Sequence, residues 1–197
     1  MNRLASPVLM MLFLWWPVTG CRGNSTADFV DQEHTVTLQL TSDDFRAGQP
    51  IPKVCTGEGE DRSPQLTWSK PPEETREVAL ICDDPDAPTP TPWVHWVIYG
   101  IAPEIVSLPP GLPPDKSLAR PVVARQGKNS WKDAKSIGYR GPMPPPGHGV
   151  HHYHFKLYAL GARLHVEPGA TKDALLKAMQ GHVLATGELI GTYERTK

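Results

Sequence analysis

Apolar and polar positions alternate through "TVTLQL", residues 35 to 40, the period-two pattern of a strand with one buried face. Two further runs, "REVALIC" (76 to 82) and "WVHWVIYGI" (93 to 101), are rich in β-branched and aromatic residues, as strands are. A fourth strand is predicted over "HHYHFKLYAL", 151 to 160. There alternation assigns His151, Tyr153, Phe155 and Leu157 to one face and His152, His154, Lys156 and Tyr158 to the other. The first set changes from polar to apolar, as a pocket wall does when it runs into a core. The second stays polar for longer, which puts His152 and His154 at the surface. The period becomes helical after Thr171, an N-cap followed by Asp173 in the first turn, apolar Ala174, Leu175, Ala178 and Met179, and Gly181 as the stop. Beyond it, "HVLATGELIGTYER" predicts a short helix leading into a terminal strand.

The connectors "KPPEET", "PDAPTPTP" and "LPPGLPPD" are proline-rich, and proline lacks the backbone donor a central strand needs. They are predicted to be ordered loops. With 22 Pro and 17 Gly among 197 residues and 39% hydrophobic content, the composition favours a mainly β fold in a single domain. Lys and Arg number 20 against 21 Asp and Glu. That balance offers no field to attract nucleic acid, so none is expected as a partner.

The first twenty residues are of another kind. After Arg3 comes "LASPVLMMLFLWWPVTG", short for a membrane span and broken by Pro7 and Pro17, which reads as an export signal over residues 1–20. It closes on "VTGC", similar to the bacterial lipobox, in which small residues precede a cysteine whose thiol takes the lipid. Cys21 is therefore the expected lipidation site; a signal peptide cut elsewhere is the alternative. Acyl chains at about 0.8 kcal/mol per buried CH₂ would make the anchoring effectively permanent. Residues 21–33 then serve as the lipidated terminus and tether, and 34–197 as the folded domain. The expected location is that of an exported bacterial lipoprotein, membrane-anchored and facing the periplasm or cell exterior. Arg22, where inner-membrane retention commonly uses aspartate, favours the outer membrane by resemblance. In such a compartment Cys55 and Cys82 could pair or stay reduced and buried.

Candidate chemistry gathers in three places. "DDPDAP" sets Asp84 and Asp86 in a proline-locked turn after a strand, where a carboxylate is stiffly held and can orient an imidazole. Such turns also merely terminate strands. "WVHW" places His95 between Trp93 and Trp96 inside a strand, a position that equally suits a satisfied core histidine. "GPMPPPGHGVHHYH" carries His148, His151, His152 and His154 behind a proline run.

In their order along the chain, "GEDRSPQLTW", "ALICDDPDAP", "WVHW", "GYRGPMPPPGHGVHHYHFKLYAL" and "GHVLATGELIGTYER" resemble the phosphatidylethanolamine-binding protein (PEBP) family, in its bacterial Raf-kinase-inhibitor-like branch, from about Leu40 to Arg195. The resemblance implies a large antiparallel sheet packed on a smaller one, with a C-terminal helical region. It also implies an anion pocket built from Asp84, Asp86, His95, Gly141, His151 and Tyr153, with Trp93 and the loop Pro142 to Pro146 as walls. Of the four clustered histidines only His151 is expected inside, and His148 is at most a rim residue. Many relatives carry Arg where this chain has His152, so headgroup preference is expected to differ. Two imidazoles, a phenol and a glycine amide would supply convergent donors for a small anion or phospholipid headgroup. If that anion favours the imidazolium form, affinity falls as pH rises. The competing reading is a metal-dependent hydrolase using His95, His151, His152 or His154 with Asp84, but a third ligand and a general-base Glu are missing nearby. There is no "GxSxG" elbow and no "GxxxxGK" loop. A non-catalytic binding protein without a cofactor is expected, its protein partner unknown.

Overall fold

Eight consecutive residues, Glu77–Asp84, are buried on both sides of one strand, because two separate cores press on it. Even positions Val78, Leu80 and Cys82 enter the larger core, and odd positions Ala79 and Ile81 enter the smaller. This computed structural model describes residues 36–132 and 136–196, within a compact unit running from His34 to Lys197. The expected signal, the tether and Cys21 lie outside the described residues.

Among the described residues the elements are, in chain order, β1 (Val36–Thr37), β2 (Leu40–Thr41), β3 (Leu66–Trp68), β4 (Glu77–Asp84), β5 (Trp93–Ile101), β6 (Ser107–Leu108), β7 (Ser117–Leu118), β8 (Ala124–Gln126), β9 (Val150–Leu160), α1 (Lys172–Met179) and β10 (Val183–Glu194), with a 3-10 turn at Lys53–Cys55. Seven strands form a sheet ordered β1-β10-β9-β4-β5-β8-β7, and β2-β3-β6 form a second. Leu40, Leu66, Trp68 and Leu108 of the small sheet share the larger core with Leu80, Phe155 and Leu157, so the two sheets face one another. This is the mainly β architecture expected, with one refinement: β1 joins β10 in parallel, which makes the large sheet mixed.

Two expectations need correction. "TVTLQL" is not one strand: β1 and β2 belong to different sheets, and the chain crosses between them at Leu38, whose N–H donates to the Thr186 carbonyl at 2.6 Å. Residues 183–194 are strand throughout, with no short helix. Ala185, Gly187, Leu189 and Gly191 are buried at period two, and pairing with β9 from Val183↔Leu160 to Glu194↔Val150 uses the backbone groups a helix would need.

Helix α1 follows its prediction. The Thr171 hydroxyl caps it by accepting from Ala174 N–H at 3.2 Å, and Leu175 and Met179 enter the smaller core, contributing about 1.5 to 3 kcal/mol each. Cys55 and Cys82 are both free and buried, and burial is the first cause raising both thiols above their ordinary value, Cys55 to about 11.

Candidate functional site

Two irregularities in strand pairing set the site. Cys82 pairs with Trp96 and Asp83 with Val94, so β5 spends one extra residue, His95, opposite a single step of β4. Such a bulge re-aims a side chain: the His95 ring packs edge-on against Tyr153, centroids 4.9 Å apart, and against Trp131 at 5.0 Å, while its neighbour Trp96 still enters the larger core. The second bulge falls at Gly100, where φ is +72° and a Cβ would stand 2.8 Å from Arg125 Nε; this bend keeps the rest of β5 in register.

At the strand ends lies a cavity of about 360 Å³. Asp84 closes β4, Trp93 and His95 open β5, His151 and Tyr153 open β9, and Arg195 follows β10; Trp131, the loop at Ala87 to Thr89, and Met143, Pro144 and Pro145 of the expected proline loop complete the wall. Asp84 and His151, 3% and 1% exposed, are joined by Oδ2 and Nδ1 at 2.7 Å. Because a carboxylate accepts, Nδ1 of His151 carries the proton. Its Nε2 meets Nδ1 of His148 at 2.7 Å. The His95 Nδ1–H donates to the Arg140 carbonyl at 2.6 Å, and burial pushes this imidazole down to about 4, so near neutral pH it is uncharged. The Tyr153 hydroxyl is buried and without a partner among the described residues, and burial followed by the nearby Asp84 charge raises the phenol above its ordinary value.

Of the residues read from the sequence, Asp84, Trp93, His95, His151 and Tyr153 come together here. Gly141 does not line the cavity. Its N–H donates to Asp61 Oδ1 at 2.7 Å, so it is no free donor, and a Cβ would lie 2.1 Å from the Cys55 carbonyl oxygen. Glycine there permits a backbone crossing. Asp86 also stands outside: its N–H donates to Asp84 Oδ1 at 2.9 Å, a turn that sends its own carboxylate outward to His152, whose N–H and Nδ1 reach it at 2.8 and 2.7 Å. Partial burial opposes ionisation of Asp86, yet these His152 bonds hold its carboxyl below the ordinary range. His152 is therefore an exposed partner of Asp86, and His154 pairs with Glu188 at 2.8 Å.

Sequence reasoning missed three groups. His148 bonds His151 rather than standing idle. Trp131 had no pattern around it. Arg195 brings a fixed positive charge to the cavity; its Nε donates to Glu58 at 3.3 Å, and its Nη groups take no partner among the described residues. Pairing of Tyr193 with His151 carries Arg195 there, and that pairing was the signal to seek. Among the described residues no three His, Cys, Asp or Glu side chains converge as metal ligands.

A mainly β fold of two facing sheets, with an aromatic-walled cavity at its strand ends that holds a buried carboxylate–imidazole pair, defines the class of protein. Within it, the sequence matches the phosphatidylethanolamine-binding protein family over residues 41–194, and the chain belongs to that family. It is 40% identical over 193 residues to a UPF0098 protein of Pyrococcus abyssi, covering 98% of this chain and 99% of that one. A UPF0098 protein of Methanothermobacter thermautotrophicus is 46% identical over 158 residues, or 80% of this chain and 99% of its own length. Among solved structures, a putative PEBP homolog of Chlamydia trachomatis superposes with a TM-score of 0.71 at 40% identity, over 82% of this chain and 99% of that one. E. coli YbcL, described as a member of the mammalian PEBP family, does so with 0.72 at 31% identity, over 81% and 99%.

Proposed function

We propose that this protein binds small oxyanions or phosphorylated headgroups in the cavity, without catalysis. One observation carries the reading: Tyr153 lines the cavity with a side chain only 1% exposed, and its buried hydroxyl has no hydrogen-bond partner among the described residues. A buried donor left unpaired costs about 1 to 3 kcal/mol, which a ligand acceptor recovers. The unpaired Nη groups of Arg195 add attraction for an anion, and Trp93 and Trp131 lower the local dielectric around it. Lipidation at Cys21 would hold the cavity near a membrane surface and its headgroups.

The test is titration calorimetry with inorganic phosphate on wild type and Tyr153→Phe. Loss of the hydroxyl is expected to weaken binding roughly tenfold while leaving the unliganded protein as stable or slightly more so. Equal phosphate affinity in the two proteins would refute the assignment.

A further inference from the structure

His95 sits in the bulge of β5, so the β4–β5 ladder that fixes its neighbours does not fix its ring. Residues 139–142, which belong to no strand, do so instead. His95 Nδ1–H donates to the Arg140 carbonyl at 2.6 Å, and Arg140 N–H donates back to the His95 carbonyl at 2.9 Å. Near neutral pH the ring carries one proton, because burial pushes it down to about 4. A neutral imidazole has one donor and one acceptor, and the nitrogen that keeps the proton is set by the bond it makes. The placing of the Arg140 carbonyl therefore decides the His95 tautomer.

Asp61 grips the other side of the same peptide. Its Oδ1 accepts Gly141 N–H at 2.7 Å, and that N–H shares one planar unit with the Arg140 carbonyl, the two pointing in opposite directions. Holding the N–H aims the carbonyl at His95, and a carboxylate on the N–H polarises the unit and strengthens the carbonyl as an acceptor. The Asp61 Oδ2 pairs with the Arg140 guanidinium, so one side chain restrains both the backbone and the side chain of that residue. Among the described residues Asp61 is the one non-glycine with a positive φ, +59°, a conformation that persists only where the surroundings enforce it. Asp61 does not touch the strand-end cavity; with Arg140 it lines another, of about 380 Å³, that shares no residue with the first.

We propose that Asp61 is a positioning residue: through the 140–141 peptide it keeps the His95 proton on Nδ1 and leaves Nε2 as an acceptor. The use of that acceptor rests on the binding reading above; the place of the proton does not. Other bonds carry the fold of the segment, since Tyr139 Oη donates to the Cys55 carbonyl at 2.7 Å and Gly57 N–H to the Pro142 carbonyl at 2.9 Å. Loss of Asp61 thus frees the 140–141 peptide to rotate between two fixed ends.

Histidine ring ¹⁵N shifts are recorded on the unliganded full chain near neutral pH for the wild type, Asp61→Asn and Asp61→Gly, replacements that both tolerate a positive φ. Asparagine keeps an oxygen for Gly141 N–H but loses the ion pair with Arg140; glycine loses both. The preference of His95 for Nδ1–H over Nε2–H is expected to fall in the order wild type, Asp61→Asn, Asp61→Gly, by roughly tenfold overall. The His151 ring, held separately by Asp84 at 2.7 Å, should not change. Equal His95 shifts in the three proteins overturn the assignment, as does a His95 change matched by one at His151, which marks a general loosening of the strand ends. If Asp61→Gly does not fold, Asp61→Asn decides: a His95 tautomer ratio equal to that of the wild type overturns the role. Because no ligand is added, failure here leaves the binding reading standing, and failure of phosphate to bind leaves this role standing.

Discussion

Acidification tests the burial of His95 most sharply. The ring is 2% exposed and is pushed by burial from 6.5 to about 4. An unfolded chain takes up a proton on this imidazole at about pH 6.5, and the folded one only near pH 4. Between those values the unfolded state binds more protons, so stability is complete above about pH 6.5 and is lost as pH falls toward the folded value. At about 1.4 kcal/mol per pH unit, the loss reaches about 2 kcal/mol by pH 5 and about 3 kcal/mol by pH 4. The contrast is with His95→Phe, which keeps an aromatic ring between Trp131 and Tyr153 but cannot titrate. That variant leaves the Arg140 carbonyl unpaired at every pH, a constant offset of about 1 to 3 kcal/mol. Other titrating groups cancel in the difference. Urea unfolding followed by tryptophan fluorescence between about pH 4 and 7 should show the wild type losing its advantage over the variant on acidification. Two parallel stability curves would refute the buried, neutral assignment.

Asp83, 1% exposed and held by Lys156 at 3.0 Å and by Lys172, has a carboxyl whose burial works against ionisation but whose lysine bonds win and keep it below the ordinary range. Asp83→Asn should cost about 2 kcal/mol in urea unfolding, less than a fully buried pair because both lysines can reach water. Gly100→Ala, at φ +72° and against Arg125, should cost at least about 1 kcal/mol by the same assay. Palmitate is expected to label the wild type and not Cys21→Ser; equal labelling of the two would remove the anchor from the proposal.

Much of the architecture was legible because side-chain period is a local property. The alternation of 151 to 160 and the capped pattern after Thr171 each needed only neighbours in sequence. Residues 183 to 194 misled because two buried glycines, Gly187 and Gly191, erase the apolar marks of a strand. Gly187 lies under Leu38 and Gly191 under Ile51 and Phe45, contacts far away along the chain.

The site divides along the same line. The ordered set of motifs, through the family they resemble, singled out Asp84, Trp93, His95, His151 and Tyr153 together with Asp86 and Gly141, whereas each motif alone also suited a strand-ending turn or a core histidine. Which atoms face the cavity was decided only by tertiary structure. The bulge at His95, the Arg140 carbonyl that fixes its proton, the Asp61 carboxylate that consumes the Gly141 amide and the β9–β10 register that delivers Arg195 all join segments remote in sequence. A hydrogen bond depends on ångström-scale placement of two partners, and that placement exists only once the sheet has closed its register.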